Sequence, residues 1–244
     1  MIKNPILKTN LEEQEKKQQK FYRRGNIFYM RDNFTEELGN FTEEINGCVT
    51  IFISRSYNCS ISLLPDSIEN IVFDDNSVYD LPVENLSHNV KTIKFGKYFA
   101  RPLDNLPDSL ESIEFSGNSM YNLPLDNLPS SIKKITFGKN FNTPIRNLPN
   151  NLECLKILSK CFSLELKNLP SGLKYLYFYD EIDLIYDKEI NCLPDGLIEI
   201  RYPYYYSYEI KNLPESVRVI RVSTCYKYLD ELKNNYPNKK IYIY

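Results

Sequence analysis

A chain of 244 residues with 42% hydrophobic and 25% charged residues has a globular composition, and its length fits one large domain or two small ones. A formal charge of -2 argues against a general polyanion binder, so nucleic acid is not an expected partner. No run approaches the ~18 consecutive apolar residues that span a bilayer, and Met1 to Lys20 is too polar for a secretory segment, so a soluble cytoplasmic protein without membrane contact is expected.

The chain opens on a polar segment, residues 1–31. Within it Asn10 to Arg24 has almost no apolar face and reads as a solvated or fraying helix. Residues 32–54 read as an N-terminal cap: Asn33-Phe34-Thr35-Glu36-Glu37-Leu38 is echoed by Asn40-Phe41-Thr42-Glu43-Glu44-Ile45. This places Phe34, Leu38, Phe41 and Ile45 on one helical face, with Asn33 as N-cap and Glu36 three residues on. Val49 to Ile53 would add a first strand.

From 55 to 225 the chain repeats itself. Leu-Pro recurs at 64, 106, 128, 148, 169, 193 and 213, with Leu86-Ser87 filling the gap, at spacings of 22, 20, 22, 20, 21, 24 and 20 residues. Eight residues before each proline (or Ser87) stands an aromatic: Tyr57, Tyr79, Phe99, Tyr121, Phe141, Phe162, Tyr186 and Tyr206. Apolar rows also stand four before, three after, six after and eight after, the last running Phe73, Phe95, Phe115, Phe137, Ile157, Phe178, Tyr202 and Val222. A lone repeat cannot fold, because ordering each residue costs ~1–2 kcal/mol while five or six buried side chains return only ~1.5–3 kcal/mol each. Stacked copies share their apolar faces, so roughly nine turns of a leucine-rich-repeat-type solenoid are expected.

Segments such as Ile113-Glu114-Phe115 alternate inward and outward and read as short parallel strands on a concave face. The proline-bearing arms, such as Phe141 to Pro149, should return on the convex side as irregular chain. The residue before Leu-Pro (Asn85, Asn105, Asn127, Asn147, Asn168, Cys192, Asn212) reads as a ladder whose side chains bridge to the neighbouring coil. Length varies only after the strands, and the longest such loop, 179–185, should protrude. In the C-terminal cap, residues 226–244, Leu229, Leu232 and Tyr236 form a short helical face before Pro237, and Ile243, six after Pro237, should complete the strand ladder.

Four arms read Tyr79-Asp80-Leu81-Pro82, Phe99-Ala100-Arg101-Pro102, Tyr121-Asn122-Leu123-Pro124 and Phe141-Asn142-Thr143-Pro144, each followed by an aliphatic residue and then Asn-Leu-Pro or Asn-Leu-Ser. The pattern resembles the FNIP repeat, a leucine-rich-repeat variant of social amoebae and giant amoeba-infecting viruses. If viral, the protein would reside in the host cytoplasm. The resemblance also implies a possible role as a substrate-recognition subunit for ubiquitin ligation, through the N-terminal F-box of some members. The first 55 residues lack that Leu-Pro-led, Leu-rich helical pattern.

Residues flanking the inward strand positions point outward, and their rows are basic in excess: Lys94, Lys134, Lys156, Arg201 and Arg221 against Glu114 and Glu199. Fourteen of the twenty tyrosines lie between 175 and 244. Tyr and Arg dominate binding hot spots, so Lys156, Tyr175, Tyr177, Tyr179, Arg201, Arg221, Tyr242 and Tyr244 form the candidate binding patch. A non-catalytic module holding a protein partner is the leading expectation, as a monomer or with weak self-association; a structural, self-assembling protein is the rival. No catalytic site, cofactor or metal is expected. His88 has no thiol or hydroxyl partner at a recognisable spacing, and the chain has no phosphate loop. The six cysteines form no CxxC pair and are expected to stay reduced.

Overall fold

The computed structural model describes residues 19–178 and 186–244. One twelve-stranded sheet runs the length of the molecule in chain order. Its strands are β1 (Phe21–Arg24), β2 (Ile27–Met30), β3 (Thr50–Ile53), β4 (Asn70–Phe73), β5 (Thr92–Phe95), β6 (Ser112–Phe115), β7 (Lys134–Phe137), β8 (Cys154–Ile157), β9 (Tyr175–Phe178), β10 (Glu199–Arg201), β11 (Val219–Val222) and β12 (Lys240–Ile243). From β2 to β12 every neighbour is parallel, as a solenoid requires. The register steps by the Leu-Pro spacing, Ile71 facing Ile93, Ile113, Ile135 and onward, so each strand is seated by the turn before it.

That turn has a fixed form. The proline carbonyl accepts the N–H of the aliphatic residue three later, as from Leu110 to Pro107 (3.0 Å) and from Leu152 to Pro149 (3.0 Å). One carbonyl of each preceding coil then receives two N–H groups at the start of the next strand: Lys91 O takes Glu111 (2.8 Å) and Ser112 (3.1 Å). The arms contain no helix among the described residues, in keeping with their prolines.

Inside, the two aromatic rows form adjacent columns of rings. Phe73, Phe95, Phe115 and Phe137 stack at 5.5–6.3 Å between coils, and Phe141, Phe162 and Tyr186 continue the other column at 6.5 and 6.0 Å. Within a coil the columns touch, Phe95 to Phe99 at 4.0 Å and Phe137 to Phe141 at 3.8 Å. Buried tyrosines of the arm column reach a polar partner there. Tyr79 donates to Pro82 O (3.3 Å), and Tyr206 accepts from Ile190 N (2.9 Å).

The asparagine ladder sits elsewhere than the sequence implies. Asn85, Asn105, Asn147, Asn168 and Asn212 have φ between 53° and 57°, the left-handed region that asparagine tolerates better than other side-chain-bearing residues. Their side chains are exposed, so at these five positions the Asn serves the backbone, whereas Asn127 bridges coils as expected, its Nδ2 donating to Asp104 Oδ1 (3.0 Å). The side-chain ladder is made instead by the residue after the arm aromatic. Asn58 Oδ1 accepts Asp80 N (3.1 Å), Asp80 Oδ1 accepts Ala100 N (2.9 Å), Asn122 Oδ1 accepts Asn142 N (2.7 Å) and Asn142 Oδ1 accepts Ser163 N (3.1 Å). Accordingly, Asn147→Val should lose about 1–2 kcal/mol in urea melts, while Asn147→Gly should stay within about 0.5 kcal/mol of the parent. Equal losses for both would show that the amide matters after all.

Both ends depart from expectation. Residues 21–30 are a β-hairpin rather than part of a solvated helix, because Phe21, Tyr22, Phe28 and Tyr29 alternate about a Gly25-Asn26 turn in which Gly25 takes φ +59°. The antiparallel β1 covers the edge of β2. Residues 1–18 lie outside the described residues, as does the loop 179–185. In the N-terminal cap, Phe34, Leu38 and Ile45 are buried as expected, but helix is confined to a 3-10 turn at Leu38–Phe41 and α1 (Thr42–Ile45). Asn33 is therefore not the N-cap; Glu37 and Phe41 hold those positions, without side-chain caps.

At the far end α2 (Leu229–Asn235) buries Leu232. The final register is two residues off the expected one: Ile241, not Ile243, faces Ile220, and Ile243 is 45% exposed beside Val222. The helix replaces the usual arm, and Lys239 takes over the turn, its ammonium donating to the carbonyls of Pro214, Glu215 and Val217 (3.3, 3.2 and 2.6 Å). No helix among the described residues is long and apolar enough to cross a membrane.

Candidate interaction surface

Every strand from β2 to β9 buries its second residue and places its first and third on the open face of the sheet, where they form two rows; only Thr136, the third residue of β7, is itself buried there. Pairing joins the third residues into one line: Tyr29, Phe52, Val72, Lys94, Glu114, Thr136, Lys156, Tyr177, Arg201, Arg221 and Tyr242. Tyr242 thus lies beside Arg221, a consequence of the two-residue shift in the last strand.

At the centre of the line the charges satisfy one another. Lys94 Nζ lies 2.8 Å from Asp75 and 4.0 Å from Glu114, whose other oxygen is 3.6 Å from Lys134. The basic excess read from the sequence is offset there by carboxylates from the same face and from the turn after β4. Exposed pairs of this kind contribute roughly 0–1 kcal/mol each and organise the surface more than they stabilise it.

Toward the C-terminus the line becomes a lattice of cations and rings. Lys156 Nζ sits 5.7 Å from the Tyr177 ring centroid, and Tyr177 lies 6.2 Å from Tyr175. Arg221 bonds Glu199 at 2.6 Å and covers the Tyr242 ring at 4.7 Å. Arg201 covers the Tyr244 ring at 4.1 Å. Cation–ring contacts contribute about 0.5–1 kcal/mol at exposed sites and hold long side chains in place. Burial pushes the Tyr177 phenol up to about 12, so it is a neutral hydrogen-bond donor at ordinary pH.

Seven of the eight predicted patch residues are brought onto this surface or its rim; Tyr179 lies outside the described residues. Tyr244 has a different role from the others. Its carbonyl accepts Thr224 N (2.9 Å), its amide donates to Val222 O (3.1 Å), and its hydroxyl donates to Tyr202 O two coils back. It is a latch on the last turn.

Other reactive groups stay apart. His88 is exposed in the turn after Leu86, and the half-buried Cys154 thiol is pushed up by burial, away from thiolate reactivity. Among the described residues no three His, Cys, Asp or Glu side chains gather as a metal site would need.

Sequence reading missed the opposite end of the same line. Tyr22, Tyr29 and Phe52 stack at 4.8 and 4.9 Å with their planes nearly parallel, on the open face of β1 to β3. The signal was present: two aromatic-rich runs around Gly-Asn are a hairpin signature.

The FNIP repeat family model matches residues 80–118 and 121–160. No curated protein matches the sequence. Among solved structures, CroV588, a giant-virus protein described as a novel circular LRR protein, superposes with a TM-score of 0.59 at 22% identity. The match covers 85% of this chain and 38% of that one, so the chain spans well under half of that protein's length.

Proposed function

Because the chain carries FNIP repeats within one continuous solenoid of leucine-rich-repeat type, we propose that it is a non-catalytic interaction module whose open sheet face binds a protein partner at its C-terminal end. The observation that carries this reading is the lattice of Lys156, Tyr177, Arg221 and Tyr242 in a single register line. Its aromatic and guanidinium groups are held by one another before any partner arrives, so little side-chain entropy remains to be lost on binding. A circular neighbour that uses the same architecture supports the solenoid as a scaffold and leaves the partner to be identified by experiment.

Self-association is a second reading, favoured by one feature. β12 is an edge strand on which Tyr242 and Ile243 are 47% and 45% exposed, the kind of edge another strand can extend.

Affinity capture with the wild type and with Tyr177→Ala plus Tyr242→Ala separates the two readings, since neither side chain is part of the core. Loss of a wild-type partner, with affinity reduced at least roughly thirtyfold, is the expected result. Unchanged partners with altered sedimentation would favour the edge. No change in either measurement would remove the patch from consideration.

A further inference from the structure

At the N-terminal end of the open face, a cleft of about 750 Å³ lies over the ends of β2 and β3. Tyr22 and Phe52 line it, the two ends of a stacked ladder whose middle ring is Tyr29. Two guanidiniums sit against the outermost ring, Arg24 at 5.4 Å and Arg31 at 5.3 Å from the Tyr22 centroid, and Arg55 lines the cleft from the turn after β3. The hairpin creates this grouping. Arg24 follows Tyr22 by two and Arg31 follows Tyr29 by two, so strand alternation returns both to the ring-bearing face.

The charges here are not spent as they are elsewhere on the molecule. None of Arg24, Arg31 and Arg55 is in an ion pair among the described residues. Their neighbour Arg23, on the opposite face, uses its guanidinium on the carbonyls of Gly25 (2.8 Å) and Asn46 (3.0 Å). Two carboxylates share the cleft, yet each is engaged by a backbone amide: Asp32 by Arg55 N (3.2 Å) and Asp74 by Asn76 N (2.8 Å). A further polar group faces the same space. Ser54 is only 7% exposed, lines the cleft, and its hydroxyl has no hydrogen-bond partner among the described residues; the same holds for Arg31 Nε. Buried donors without partners are uncommon and call for an explanation, which a ligand in this cleft would supply.

We infer that this cleft is a binding site for a phosphomonoester carried on an aromatic or other planar group. Guanidiniums match the oxygen geometry of phosphate bidentately. A phosphate brings more acceptor oxygens than a carboxylate, which suits a hydroxyl and three arginines that outnumber the two carboxylates of the cleft. Tyr22 and Phe52, with Met30 and Ile53, supply the apolar wall for the carrier. The site stands at the opposite end of the sheet from the lattice around Tyr177 and does not depend on it.

Titration of the full chain with phenyl phosphate, followed by NMR line shifts or calorimetry, tests this inference. Saturable binding is expected, weakened about tenfold by Arg24→Gln and again by Arg55→Gln, both exposed positions, while Arg218→Gln on another coil has no effect. Inorganic phosphate should bind more weakly than phenyl phosphate, and benzoate more weakly still. Absence of saturation, or binding indifferent to the arginine substitutions, would overturn the site. Equal binding of inorganic and phenyl phosphate would overturn the role of the ring wall.

Discussion

A Phe137→Ala variant is expected to lose about 3–5 kcal/mol of stability and to split the urea transition in two. Phe137 is 1% exposed, with its ring 3.8 Å from Phe141 in its own coil and 6.3 Å from Phe115 in the coil before. Its removal leaves a cavity that neighbours cannot fill, because strand pairing fixes the coils ~4.8 Å apart and prevents them from closing on the gap. In a linear array stability is a sum over coils and their interfaces, so a weak interface at the middle uncouples the two halves. Phe137→Ile should lose clearly less, since Ile157 already occupies this row in the next coil and pairs in register with Phe137. Circular dichroism and tyrosine fluorescence, recorded on one denaturation series, give the measurement. A single transition within about 1 kcal/mol of the parent would contradict the account of the ring columns.

The rows were legible in the sequence because each is a core position repeated through eight copies, and burial imposes the same demand on every copy. Ile71, Ile93 and Ile113 face one another as their spacing required. What was illegible depends on conditions without a repeat. The last strand is shifted by two because Lys239 and α2 replace a proline-led arm, a substitution made once. The hairpin at 21–30 was hidden by the charged stretch before it, although its aromatic-bearing runs flank Gly25-Asn26 at hairpin spacing. The two asparagine positions were exchanged for a different reason. Composition shows that a residue is Asn, but φ of +53° to +57° and a side-chain bond to the next coil are separate uses of it. Of the surface, the outward rows followed from alternation alone, whereas the ring–cation contacts depend on side-chain conformations that spacing does not specify.

The buried tyrosines, those of the arm column together with Tyr202 of the strand row, should make the protein unfold cooperatively on the alkaline side, well before they titrate in place. Burial pushes the Tyr206 phenol up to about 12 and raises Tyr57, Tyr79, Tyr121, Tyr186, Tyr202 and Tyr226 further still, from an ordinary value of 10.0. Above pH 10 the unfolded chain releases phenolic protons that the native state retains. The unfolded state then binds fewer protons, and stability falls as pH rises. The contribution is complete below about pH 10 and is lost as pH climbs toward and through the native values. Each such tyrosine costs on the order of 1.4 kcal/mol per pH unit in that window, so seven together, about 10 kcal/mol per pH unit, match the roughly 5–15 kcal/mol that holds a domain folded. The phenolate absorbance of these seven should therefore appear as one cooperative step that coincides with loss of the far-ultraviolet dichroism, near pH 11 and below the native values. Gradual ionisation through pH 12 with the dichroism intact would refute the expectation. Tyr202 sharpens it, because its hydroxyl is fully buried and has no hydrogen-bond partner among the described residues. Tyr202→Phe removes an uncompensated polar atom without opening a cavity, so it should leave neutral stability equal or higher and move the alkaline midpoint upward.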